Sequence, residues 1–252
     1  MVIRAVLFDV YGTLLFAPLR AIYRRAAELG RILKSKGYFV RVEDAVFVFG
    51  RKWLEYSEGK IADDKEYVNA CLKELCCTTV PEDVIDEILT FYTSKTSARL
   101  FPGVRETLEG LKARGLKLGV VSNSTYSKTM IDLKLNGIYE YFDAFCISSE
   151  LRILKPDPRI FLKALAALGV SPADAVFVGD RPQEDIAGAR AVGMKTILFQ
   201  PQLEEEIWST SDLLLKRTPF ERRRSQKECK ADAVINNIKD VLRVIEAFDS
   251  KE

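Results

Sequence analysis

Ile3-Arg4-Ala5-Val6-Leu7-Phe8-Asp9-Val10-Tyr11-Gly12-Thr13-Leu14 is the stretch whose reading decides the fold. Its first half is nearly all apolar, as a strand covered on both faces must be. A carboxylate, Asp9, then stands where strand gives way to turn, and Gly12 lets the backbone bend close to whatever Asp9 holds. In open α/β sheets the carboxyl ends of central strands carry the chemistry.

Outward from that strand, further short β-branched runs lie at Lys117–Ser122, Ala144–Ser148, Ala175–Val178, Lys195–Leu198 and Ala233–Ile235. Stretches with apolar residues at helical spacing separate them: Val104–Arg114, Ser127–Leu135, Arg159–Leu168, Gln183–Ala191 and Asn237–Phe248. Alternating strands and helices predict a doubly wound, parallel, Rossmann-like core built from residues 1–15 and 99–252. Residues 16–98 break the rhythm with four amphipathic helical patterns and no clear strand. A four-helix insertion placed directly after Asp9 would sit over the strand ends as a cap domain and lid.

Composition narrows the chemistry. Of 252 residues 48% are hydrophobic and 29% charged, the balance of an ordinary globular protein. A net charge of +2 gives no field for nucleic acid or an anionic membrane, and no apolar run reaches the ~20 residues that span a bilayer. The expected location is the cytoplasm and the expected partner a small molecule, with the oligomeric state open. The absence of histidine excludes Ser-His and Cys-His catalysis and most zinc designs. The five cysteines, Cys71, Cys76, Cys77, Cys146 and Cys229, show no paired metal spacing. They read as buried filler, with Cys71–Cys76 or Cys77–Cys229 bridges expected only in a hyperthermophile. Between Lys216 and Lys230 seven Lys or Arg face two Glu, which reads as a solvated excursion.

Four further groups follow strands in order. Ser122 and Asn123 end one strand, and Lys155 enters a proline-fixed turn before the helix at Arg159. Asp180 follows Gly179 at a third strand end, with Asp185 five residues on. Together Asp9-Val-Tyr-Gly-Thr13, Ser122, Lys155 and Gly179-Asp180-x4-Asp185 resemble the four motifs of the haloacid dehalogenase superfamily, along the whole chain. The resemblance implies a hydrolase that attacks through Asp9 to form a covalent intermediate. It also implies Mg²⁺ held by Asp9, the Tyr11 carbonyl and Asp180 and supported by Asp185. Tyr11, Thr13, Ser122, Asn123 and Lys155 complete the expected catalytic set.

The first motif departs from the superfamily's phosphatases, which place an acid–base Asp where this chain has Tyr11. A Tyr there, and the segment Arg51-Lys-Trp-Leu-Glu-Tyr-Ser57, resemble the L-2-haloacid dehalogenases, in which halide leaves carbon without a proton. The dehalogenase cap arginine falls on Gly50 by that register, with Arg51 one residue later. Asp180 and Asp185 belong instead to the phosphatase pattern. A Mg²⁺-dependent phosphatase of small phosphorylated metabolites is therefore the first expectation and a metal-free dehalogenase the second. Arg20, Arg24, Arg25, Arg51 and Lys52 are the candidate substrate-binding residues of the insertion.

Overall fold

The computed structural model describes residues 2–201 and 230–250. Six parallel strands form one sheet: β1 (Ala5–Phe8), β4 (Lys117–Ser122), β5 (Ala144–Ile147), β6 (Ala175–Gly179), β7 (Lys195–Phe199) and β8 (Ala233–Ile235). Their order is β5-β4-β1-β6-β7-β8, so β1 is central and the topology reverses beside it. The register pairs Phe8 with Val120 on one side and with Val178 on the other, which puts the ends of β1, β4 and β6 level. This is the α/β core that the strand and helix pattern predicts.

Alternation along β1 explains why both faces are covered. Val6 and Phe8 join an apolar cluster with α5 (Val104–Ala113), α6 (Tyr126–Leu135) and α10 (Asp240–Asp249). Ala5 and Leu7 point the other way, into a cluster with α8 (Pro158–Leu168) and α9 (Ala187–Ala191). A short helix, α7 (Ser148–Leu151), follows β5.

Between the first two strand positions of the core lie α1 (Leu19–Ser35), α2 (Val42–Ser57), α3 (Asp64–Cys76) and α4 (Glu82–Ser94). They bury an apolar cluster of their own around Leu33, Tyr67, Val68, Leu72 and Ile88. The helices match the four expected patterns, and the short strands that the sequence did not show lie at the two ends of this insertion rather than within it. β2 (Leu15–Phe16) pairs antiparallel with β3 (Arg99–Leu100), so the chain leaves for the helices and returns on one short ribbon. Two-residue strands are too short to leave a periodic signal.

Two other expectations are corrected. The helix expected over Gln183–Ala191 is divided: Pro182–Ile186 forms one π-type turn and α9 starts only at Ala187. The carboxylate of Asp185, buried inside that turn, accepts from the Arg181 amide at 2.9 Å and stabilises the wide geometry. The last helix begins at Asp240, three residues later than expected, after Asn237 has formed a turn with its own amide partners. Cys71, Cys76, Cys77 and Cys146 are free thiols, so no Cys71–Cys76 bridge exists. Cys229 and all but the last residue of the basic stretch lie outside the described residues.

Candidate active site

The level ends of β1, β4 and β6 bring residues distant in sequence into one buried group. Asp9 is held at the end of β1 by its amide, which donates to Val178 O at 3.0 Å. Lys155 places its ammonium between two carboxylates, 2.7 Å from Asp9 Oδ1 and 2.6 Å from Asp185 Oδ1. All three side chains are buried. Asp180, half-buried, completes the cluster, and one oxygen of each of Asp9, Asp180 and Asp185 lies within 4.8 Å of the others. The Thr13 hydroxyl stands between them, 3.5 Å from Asp9 Oδ2 and 3.4 Å from Asp180 Oδ1.

The turn geometry requires Gly12. Its φ of +103° lies in the region other residues avoid, and a Cβ there would come within 2.5 Å of the Asp180 carboxylate. Asn123 shows a role that its position at the β4 end did not reveal. Its side chain accepts from the Lys155 amide at 2.7 Å and donates to the Lys155 carbonyl at 3.0 Å and to Glu184 at 3.3 Å. It therefore fixes the backbone that presents the ammonium, and faces Lys155 rather than Asp9. Ser122 ends β4 at the rim of the same cavity.

Electrostatics set the character of the floor. Burial lowers the Lys155 ammonium, but Asp185 and Asp9 outweigh burial and the net shift is upward, so it stays charged. Burial pushes the Asp180 and Asp185 carboxyls up, and the Asp9 charge adds to both. Arg181 opposes the rise at Asp180, and Lys155 opposes it at Asp185. Three carboxylates thus meet one close ammonium, an excess of negative charge that a cation would relieve. The donor set is oxygen only, without His or Cys, and suits a hard divalent cation such as Mg²⁺.

The other flank of Asp9 is arranged differently. Tyr11, placed in the expected catalytic set, donates its hydroxyl to Asp132 Oδ2 at 2.7 Å and packs edge-on against Trp53. Burial first, then Asp132, drives the Tyr11 pKa well above its ordinary value of about 10. Asp132 is itself paired with Lys128 one turn back on α6. Sequence reading missed this pair, because an i,i+4 Lys–Asp spacing is what any solvated helix face carries.

Above the floor opens a cavity of about 680 Å³, reaching from Asp9, Ser122, Lys155 and Asp180 up between α1, α2 and α4. Of the candidate cations of the insertion, Arg25 lines it, donating to Tyr92 O and Lys95 O at 2.6 Å each. Arg51 does not: it binds Glu55 and Glu74, and Lys52 also turns to Glu55. The position one step past Gly50 thus rotates its guanidinium away, while Gly50 itself faces the cavity. Arg24 is exposed, and neither it nor Arg20 lines the cavity.

Comparisons with known proteins agree with this arrangement. A family model described as haloacid dehalogenase-like hydrolase matches residues 3–193. A glyceraldehyde 3-phosphate phosphatase of Methanopyrus kandleri is 30% identical over 196 residues, covering 77% of this chain and 83% of that protein. A ribulose-1,5-bisphosphate 5-phosphatase of Halopiger xanaduensis is 30% identical over 220 residues, covering 82% and 89%. Among solved structures, a 2-haloacid dehalogenase from Pseudomonas syringae pv. Tomato DC3000 superposes with a TM-score of 0.68 at 28% identity, covering 98% of this chain and 99% of that one. Matched across three quarters of its length, with its strand-end residues gathered at one site, the chain belongs to the haloacid dehalogenase-like hydrolases.

Proposed function

We propose that the protein is a Mg²⁺-dependent phosphatase that works through a covalent aspartyl-phosphate on Asp9, with residues 16–98 as a cap over the site. The observation that carries this reading is the acidic cluster of Asp9, Asp180 and Asp185 around one ammonium. Repulsion among buried carboxylates is costly to keep, and halide displacement from carbon has no use for it. The phosphatase-named relatives support the same choice.

The residues have distinct tasks. Asp9, hydrogen-bonded by the adjacent Lys155 ammonium, attacks phosphorus, and the ester oxygen departs. Ser122 and Lys155 receive the phosphoryl oxygens as charge develops on them. Asp9, the Tyr11 carbonyl and Asp180 would hold Mg²⁺, with Asp185 anchoring Lys155 and the Arg181 turn. Bound there, the metal neutralises the phosphoryl group and the carboxylates that face it. Water then opens the aspartyl-phosphate and regenerates Asp9. Tyr11 neither donates nor accepts the proton at neutral pH, because Asp132 already holds its hydroxyl. Turnover therefore favours esters whose oxygen leaves without protonation.

A second reading, metal-free 2-haloacid hydrolysis, draws on the same Tyr11 and on the dehalogenase neighbour. Turnover of p-nitrophenyl phosphate and of L-2-chloropropionate, each with Mg²⁺ and with EDTA, separates them. Phosphate release that EDTA abolishes is the expected result. Chloride release indifferent to EDTA overturns the phosphatase.

A further inference from the structure

We infer that the phosphoryl group this phosphatase removes is carried by an apolar, aryl-type (phenolic) oxygen rather than by a sugar. The inference rests on the phosphatase reading and adds the class of substrate to it. The polar groups suited to a phosphoryl group are confined to the floor of the cavity, at the strand ends. The wall that a leaving group would meet comes from the helices and presents Ile22, Leu29, Val46, Phe49, Trp53 and Phe91.

Arg25, Glu58, Lys128 and Asp132 reach that wall, but each is already paired, Glu58 with Lys60. Arg25 donates to two backbone carbonyls and lies 5.4 Å from the centres of the Phe91 and Tyr92 rings. Lys128 and the Tyr11 hydroxyl are both held by Asp132. A sugar hydroxyl entering here would give up water and meet partners already engaged, a loss for every hydroxyl buried. A methylene entering the same place gains roughly fourfold in affinity.

Size points the same way. A cavity of about 680 Å³ is in the range that encloses a drug-sized ligand, of which a triose phosphate would fill only a small part. The proton inventory is consistent too, since an aryl oxygen leaves without the acid that Tyr11 does not supply.

The test measures binding separately from turnover. Phenylpropylphosphonate and dihydroxypropylphosphonate share a chain length and a non-hydrolysable head, and titration calorimetry of the full chain with Mg²⁺ compares them. The expected result is phenylpropylphosphonate binding at least about tenfold more tightly. Trp53→Ala, checked for folding by its melting curve, should reduce that ratio severalfold. Val46→Thr, which only exchanges a methyl for a hydroxyl on the wall, should reduce it about twofold. Equal binding, or preference for the dihydroxy compound, overturns the inference, and Mg²⁺-dependent p-nitrophenyl phosphate turnover in the same preparation shows the phosphatase reading standing without it. Absence of both turnover and phosphonate binding overturns the two together.

Discussion

On the β6 side Asp9 clusters with Asp180 and Asp185, and the one ammonium there, of Lys155, bonds Asp9 and Asp185, while on the α6 side Asp132 is matched by Lys128 and the Tyr11 hydroxyl. Both flanks are buried, yet one carries excess charge and the other is neutral as it stands. A balanced buried pair can serve packing alone. An unbalanced one suits a cation, and burial has raised the carboxyls of Asp180 and Asp185 on that flank. The family's phosphatases put their proton-handling Asp on the flank that here is closed by Tyr11.

Substituting on each flank can break this contrast. The largest effect is expected at the shared centre: Asp9→Asn should lower phosphate release by roughly 10³-fold or more while the protein remains folded, as steady-state kinetics and a melting curve will show. Residual turnover within tenfold of the parent would mean that another group attacks.

Next comes the unbalanced flank. Asp180→Asn should abolish Mg²⁺-dependent turnover yet stabilise the metal-free protein. Burial, helped by the Asp9 charge, pushes its carboxyl up to about 8 from an ordinary value of 3.8. Between those values the folded state binds more protons than the unfolded one, so stability falls as pH rises. Melting temperatures in EDTA should therefore decline between about pH 5 and pH 8 for the parent and decline less for Asp180→Asn. Mg²⁺ should restore the parent at the upper end. A parent curve that is flat or rising would contradict the charge excess.

The balanced flank should respond in stability rather than chemistry. Asp132→Ala leaves Lys128 unpaired in a largely buried place and should cost about 3 kcal/mol in denaturant unfolding. Asp132→Asn can keep the Tyr11 hydrogen bond and should cost less. The smallest effect is expected for Tyr11→Phe, which should keep p-nitrophenyl phosphate turnover within about threefold of the parent. A loss of a hundredfold would make the hydroxyl a working acid and erase the distinction between the flanks.

Sequence reading reached one flank and not the other for a physical reason. Asp9 and Asp180 directly follow the apolar strands β1 and β6, so their meeting is implied once those strands are seen as neighbours, whereas Lys155 arrives from the loop after α7 and Asp185 from the turn after β6. Gly12 marks the close approach to Asp180 in the same way. Asp132 and Lys128 sit inside a weakly patterned helix whose buried face includes Thr129 as well as Met130 and Leu133. Only tertiary packing tells that pair from a surface one. The role of Asn123 was hidden for a similar reason, since it depends on Lys155 brought from elsewhere. The turn away of Arg51 was legible, because one step past Gly50 rotates a helical side chain by about 100°. The ribbon of β2 and β3 was too short to be seen at all.

That ribbon has a consequence for how such a chain can change over generations. Leu15 and Leu100 face each other on one rung, so everything between them departs from and re-enters the sheet at neighbouring points. The entropy of closing such an excursion grows only with the logarithm of its length. Helices there can be lengthened, trimmed or exchanged while Asp9, Ser122, Lys155 and Asp180 keep their register. The strand ends can thus stay constant in their chemistry while selection alters, rung to rung, what they are offered.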